Sequence, residues 1–155
     1  MIVTLAPEQR KFYFRNGYLV LEDLVPKSTL GQVRLAVEEL AKKMPGYQVE
    51  NAFRALPIVG KMVQKGKFGP LLFQLLEKKP IRIKSDLFLQ ENEPFPELED
   101  EECGLFFPLQ GDNLGQAIFY RQTPPELYKE QRGCYLLFVF TTKHLNEERH
   151  PRVFR

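Results

Sequence analysis

Residues 6–40, APEQRKFYFRNGYLVLEDLVPKSTLGQVRLAVEEL, contain the signals of a helix, a strand and a second helix, in that order. Pro7 suits a first helical turn, and Asn16 followed by Gly17 is typical of a left-handed helix stop. The stretch YLVLEDLV then alternates and is rich in branched residues, which predicts a strand. The second helix is indicated by four apolar residues at the spacing of one helical face: Leu30, Val33, Val37 and Leu40.

The rest of the chain changes from helical to β-rich patterns after Lys79. Residues 50–77 predict one or two further helices, interrupted at Pro57 and Gly66, with a buried stripe of Phe68, Leu71, Leu72, Leu75 and Leu76. Four short β-rich runs follow: PIRIKSDLFL, CGLFFPLQ, QAIFYR and CYLLFVFTT. Helices followed by strands predict an α+β fold whose strands form an antiparallel sandwich or small barrel. We expect one domain over 1–155, mainly helical with one early strand over 1–79 and β-rich over 80–155.

Composition indicates a globular protein with an ordinary core. The chain has 155 residues, of which 43% are hydrophobic and 27% charged, so it is long enough to bury a core. No apolar window reaches the length of a membrane span, and the start lacks a secretory signal pattern. We therefore expect a cytoplasmic protein in which Cys103 and Cys134 are reduced, buried, small apolar residues. A disulfide between them would need an oxidising compartment.

Two blocks of opposite charge follow each other in the sequence. Residues 54–84 contain eight bases and one acid, whereas residues 90–102, QENEPFPELEDEE, contain seven acids and no base. The basic block offers a possible anion-binding face: Lys61, Lys65, Lys67, Lys78, Lys79, Arg82 and Lys84. We expect the acidic stretch to be a solvated loop that folds back loosely and masks this face. Deleting 91–101 should then barely change stability.

The first block, residues 6–40, resembles the N-terminal region of phytanoyl-CoA hydroxylase-like proteins, in which a helix, a Gly-Tyr-x-Val strand and an amphipathic helix precede a double-stranded β-helix. Residues 104–124, GLFFPLQGDNLGQAIFYRQTP, are similar to that family's strand, acidic turn, Asn-x-Gly and second strand. Residues 122–124, Gln-Thr-Pro, stand where the family usually carries Pro-Gly-Ser-His. The whole chain is also similar to a small chlamydial protein family with this fold. The resemblance implies N-terminal helices packed on a small double-stranded β-helix of the jelly-roll or cupin type.

The resemblance also implies a chemistry. The family holds Fe(II) with two histidines and one carboxylate and leaves open positions for 2-oxoglutarate and oxygen. Its first histidine and its carboxylate come as His-x-Asp or His-x-Glu, because alternate strand positions point both ligands inward. The motif should fall between the strand that ends at Leu89 and the strand that starts near Cys103. The acidic stretch 90–102 stands there, and it contains no histidine.

The missing motif and the basic block lead to three hypotheses about function. We favour a non-catalytic relative, with no metal or cofactor expected, that binds a protein or a small molecule. The alternative is an oxygenase that uses Fe(II) and 2-oxoglutarate with a non-standard ligand set, Asp86, His144 and His150, and Arg155 on the co-substrate. These two histidines are the only ones, and neither has an acid two residues downstream. The second alternative is a basic regulator that binds nucleic acid through residues 54–84.

Overall fold

The structure, a computed structural model, describes residues 4–43, 49–50, 56–65, 68–78, 81–90, 93–125, 133–142 and 152–154. The helices are α1 (Pro7–Asn16), α2 (Lys27–Lys42), α3 (Pro57–Lys65) and α4 (Phe68–Leu76). The strands are β1 (Tyr18–Glu22), β2 (Val49–Glu50), β3 (Ile81–Leu89), β4 (Glu102–Pro108), β5 (Gln116–Tyr120), β6 (Tyr135–Thr141) and β7 (Arg152–Phe154).

The helices form where the sequence predicts them. Pro7 begins α1, and Gly17 ends it in the left-handed conformation, with φ at 83° and its N–H donating to the carbonyl of Tyr13. The predicted apolar face of α2 is buried through Leu30, Val33 and Val37. Pro57 begins α3 instead of interrupting it, because a proline lacks only an N–H that a first helical turn leaves unbonded anyway. The stripe on α4 is buried at four positions: Phe68, Leu71, Leu72 and Leu75.

The strands form one hydrogen-bonded sheet in the order β1-β5-β4-β6-β3-β2, with β7 also paired to β3. Every described pairing is antiparallel. Because β6 pairs along most of β3, β2 and β7 lie against the other edge of β3, at opposite ends of that strand. The sequence patterns predict β3 to β6 but miss β2 and β7, which are too short to show a periodicity.

The two faces of the sheet belong to two apolar clusters. On the helix face, α1, α2, α3 and α4 pack over strand residues that include Cys103, Leu105, Phe107, Ala117, Phe119, Leu136, Phe138 and Phe140. On the second face lie Leu89, Phe106, Ile118, Tyr120, Tyr135, Leu137 and Val139. Successive strand residues alternate between these clusters, because side chains along a strand point to opposite faces. In a double-stranded β-helix, which is made of two facing sheets, the second face corresponds to the interior.

The second face is covered by residues 93–101, here termed the covering segment. The ring of Phe95 lies 4.8 Å from that of Phe106 and 5.3 Å from that of Tyr135, and Leu98 is 8% exposed. The hydroxyl of Tyr120 donates to the carbonyl of Pro96 at 3.0 Å. The expectation of a loosely attached, solvated loop is therefore wrong for this segment. Its acids are mostly exposed, but Phe95 and Leu98 between them pack into the core.

Gly104 makes room for one of the aromatic side chains beneath the covering segment. Gly104 on β4 pairs with Tyr120 on β5, and the tyrosine ring lies across the glycine. A Cβ added at position 104 would stand 2.1 Å from Cε1 of that ring. The absence of a side chain on β4 is therefore what brings Tyr120 over the second face and its hydroxyl within reach of Pro96.

Candidate functional site

The second face ends in a row of buried polar residues. Glu102 on β4 pairs with Thr141 on β6, which in turn pairs with Arg82 on β3. Directly paired residues share a face of the sheet, so these three side chains lie side by side. All three are buried, and Arg82 is only 1% exposed. Of these three side chains, Glu102 carries the carboxylate that a metal centre of the implied type would need.

The carboxylate of Glu102 is already engaged on both oxygens. Oε2 accepts a hydrogen bond from Nζ of Lys84 at 2.6 Å, and Oε1 accepts one from the backbone N–H of Glu99 at 2.7 Å. The Glu102 side chain is 1% exposed, so its charge would be costly to bury without a partner. The lysine ammonium supplies the positive charge that a metal ion would otherwise supply. The Glu102 carboxylate is therefore neutralised within the chain, and neither of its oxygens is left without a hydrogen bond.

Of the non-standard ligand set, only Asp86 lies among the described residues. Asp86 pairs with Phe138, which belongs to the helix-face cluster, so Asp86 points away from the face that carries Glu102. His144, His150 and Arg155 lie outside the described residues, so this set stays a prediction. Within the part of the chain that the structure describes, no three His, Cys, Asp or Glu side chains are grouped so that they could hold a metal ion.

The predicted basic face divides into separate environments. Lys61 is exposed on α3, Arg82 is buried, and Lys84 is paired with Glu102. Lys78 forms an ion pair with Glu101. Arg54, Lys67, Lys79 and the side chain of Lys65 lie outside the described residues.

The prediction that the acidic stretch folds back on the basic block is confirmed at two positions. Glu101 reaches Lys78, and Glu102 reaches Lys84. The first of these pairs is exposed and the second is largely buried, so the contact is tighter than the loose screening that the charge pattern predicts.

The cysteines are free and buried, as predicted. Cys103 accepts a hydrogen bond from the hydroxyl of Tyr13 at 3.4 Å, and burial raises the pKa of its thiol to about 12. Burial also raises the pKa of the Cys134 thiol. Because a thiolate and not a thiol is the reactive form, neither cysteine is suited to nucleophilic catalysis near neutral pH.

A second site lies on the outside of the molecule, between α1 and the end of α4. It is an open groove of about 770 Å³, lined by Thr4, Leu5, Pro7, Arg10, Lys11, Phe14, Arg15, Gln74 and Glu77. Arg10 forms an ion pair with Glu77 at 3.0 Å across the groove. In the described part of the chain, neither Lys11 nor Arg15 forms an ion pair. The groove therefore carries unneutralised positive charge beside the apolar Leu5, Pro7 and Phe14.

Arg121 adds a further cation at the edge of this groove. Its guanidinium carbon lies 5.5 Å from the centroid of the Phe14 ring, and its backbone N–H donates to the carbonyl of Gly17 at 2.9 Å. Sequence reasoning missed this site. The available signal was the run RKFYFR at residues 10–15, which interleaves three bases with three aromatic residues.

The comparisons with known proteins agree with this fold. No protein-family model matches the sequence, and no curated protein matches it. Among solved structures, CT296 from Chlamydia trachomatis superposes with a TM-score of 0.75 at 21% identity, over 92% of this chain and 99% of that chain. The chain therefore has the fold that the sequence resemblance implied.

Two further solved structures share this fold. The alpha ketoglutarate dependent carbocyclase SnoK from nogalamycin biosynthesis has a TM-score of 0.63 at 13% identity, over 89% of this chain and 85% of its own. HygX from Streptomyces hygroscopicus, solved with nickel and 2-oxoglutarate bound, has a TM-score of 0.60 at 12% identity, over 94% of this chain and 90% of its own. At such identities the likeness establishes the α+β dioxygenase fold and leaves activity to be argued from the site.

Length and polarity distinguish the described helices from membrane spans. None of them is both long enough and apolar enough to cross a membrane. The longest, α2, has 16 residues and buries only one face.

Proposed function

We propose that this protein is a non-catalytic binding protein built on the dioxygenase fold. The observation that carries the proposal is the covering segment, which occupies the chain position of the expected His-x-Asp motif and packs Phe95 and Leu98 onto the interior face. Four aromatic rings, those of Phe95, Phe106, Tyr120 and Tyr135, contact one another there. A catalytic interior needs open coordination positions and space for substrate, and a packed aromatic cluster provides neither.

The polar end of the interior supports the same proposal. In a metal centre of the implied type, a carboxylate must turn a free oxygen toward the ion. Both oxygens of Glu102 are engaged inside the protein, by Lys84 and by the backbone of Glu99. Displacing Lys84 would leave the nearly unexposed carboxylate of Glu102 uncompensated, which typically costs several kcal/mol. The binding free energy of a divalent ion would have to offset this cost.

The nucleic-acid alternative is less well supported. A phosphate-binding face needs several cations that are free to contact the backbone. Of the seven bases predicted to form that face, Arg82 is buried, while Lys78 and Lys84 are paired with acids of the same chain. We therefore place the binding function elsewhere on the surface.

The proposal is tested by calorimetric titration of the protein with Fe(II) and 2-oxoglutarate under anaerobic conditions. We expect no saturable heat and no change in melting temperature, because ligand that binds only the folded state must raise its stability. HygX is the positive control, since its structure was solved with nickel and 2-oxoglutarate bound. Stoichiometric binding of 2-oxoglutarate that requires the metal would overturn the proposal.

A further inference from the structure

The cations of the groove between α1 and α4 differ from those beside the acidic stretch in whether a carboxylate neutralises them. Lys78 and Lys84 each contact a carboxylate of the acidic stretch, whereas Lys11 and Arg15 are exposed and form no ion pair with any described residue. Arg10 is held by Glu77 within the groove itself. The groove thus presents a net positive charge to whatever enters it, which favours an anionic partner.

The spacing of the free cations fits an extended chain. Lys11 and Arg15 are one helical turn apart on α1, which separates their Cα atoms by about 6 Å along the helix axis. In an extended peptide, alternate residues point to one side and are about 6.6 Å apart. Two acidic residues at alternate positions of such a peptide can therefore meet both cations at once.

The apolar lining indicates what else the partner carries. Phe14 is 42% exposed despite lying under the guanidinium of Arg121, and Phe12 and Phe73 on the same two helices are exposed to the same extent. Exposed aromatic rings beside cations are typical of surfaces that contact protein partners. Because the groove is open to solvent instead of closed around a small cavity, it suits a segment of chain better than a compact anion.

We propose that the groove between α1 and α4 binds an acidic, extended peptide segment of a partner protein, with acids at alternate positions and apolar residues between them. Lys11 and Arg15 contact successive carboxylates, and Phe14 supplies the apolar contact. This inference rests on the proposed binding function and names the class of its partner. Its test uses no metal and no 2-oxoglutarate, so either proposal can fail while the other stands.

The experiment measures fluorescence anisotropy of a labelled probe peptide, Glu-Leu-Glu-Phe-Glu-Leu-Glu, added to the full-length protein. The matched probe replaces every glutamate by glutamine. The test variant is Lys11→Glu with Arg15→Glu, and the control variant is Lys42→Glu with Lys61→Glu, which makes the same change in net charge at exposed lysines outside the groove. A third variant, Lys11→Arg with Arg15→Lys, keeps both charges in place.

We expect the acidic probe to bind the parent protein, the control variant and the charge-conserving variant with affinities within about threefold of one another. Binding to Lys11→Glu with Arg15→Glu, and binding of the glutamine probe, should be at least about tenfold weaker. The proposal fails if the glutamine probe binds equally well, if the control variant loses as much affinity, or if the acidic probe does not bind. It also fails if inorganic phosphate displaces the probe at equal concentration, which would indicate a site for small anions.

Discussion

The two faces of the sheet are covered by different kinds of structure. The helix face is covered by regular elements whose apolar residues recur at the helical spacing, such as Leu30, Val33 and Val37 on α2. The second face is covered over its aromatic part by a segment without helix or strand, which contributes Phe95 and Leu98. Two nearby hydrogen bonds join that segment to β5 and the turn after it, through Tyr120 and Gln122.

The two faces also differ in what is buried on them. The helix face is a continuous apolar core, where each large side chain is surrounded by others. The second face combines a smaller apolar cluster with a buried polar row. The covering segment packs on that smaller cluster, and Lys84 pairs with Glu102 in the polar row.

The largest effect is expected on the helix face. Phe138→Ala removes a ring that is wholly buried between Phe107 and Phe140, so it should lower the free energy of unfolding by about 3–5 kcal/mol. Urea unfolding followed by circular dichroism measures this change. A loss below about 1 kcal/mol would contradict the view that this face is the main core.

A smaller loss is expected at the junction of β4 with the second face. Gly104→Ala places a methyl group 2.1 Å from the nearest ring atom of Tyr120, so the ring must move away from its contacts with Phe95 and Phe106. Overpacking of this kind typically costs about 1–3 kcal/mol. If the variant is as stable as the parent protein, the ring is not held across the glycine. Tyr120→Leu combined with Gly104→Ala should recover part of the loss.

Substitutions in the covering segment test whether it is packed on the second face. Phe95→Ala should lower the free energy of unfolding by about 1–2 kcal/mol, because the ring is only partly buried. The matched control in the same segment is Glu97→Gln, an exposed side chain, for which about 0–0.5 kcal/mol is expected. Equal stability of the two variants would instead support a solvated loop, as the charge pattern predicts.

The smallest effect is a loss of stability at alkaline pH. Burial raises the pKa of Cys103 from 9.0 to about 12, so the folded protein keeps this proton after the unfolded chain has released it. Its contribution is complete below about pH 9 and is lost as the pH rises towards 12, which amounts to about 1 kcal/mol between pH 8 and pH 10. Cys134 acts in the same direction.

Thermal unfolding at a series of pH values measures this loss, with Cys103→Ala as the comparison. The variant should be less stable near neutral pH, but its stability should fall less steeply above pH 9. Parallel curves for the parent protein and the variant would contradict the assignment to Cys103.

Local sequence patterns determined most of the elements. Proline at position 7 and glycine at position 17 set the bounds of α1, and the apolar spacing of α2 identified its buried face. These signals act within a few residues, where the geometry of a helix or a strand fixes which side chains share a face. The missing His-x-Asp in residues 90–102 was likewise visible in the sequence alone.

Contacts between distant residues were decided by the tertiary structure. The sequence identified seven acids in 90–102, but only the folded chain brings Glu102 to Lys84, points Asp86 to the helix face and packs Phe95 on Tyr135. Arg10 and Glu77 lie 67 residues apart in sequence and 3.0 Å apart in space, whereas Lys11, next to Arg10, has no such partner among the described residues. A charge is neutralised by what lies within a few ångströms of it, and that distance is set by the packing of whole elements. The sequence therefore predicted the fold and showed the missing motif, and the packing decided which charges are neutralised among the described residues.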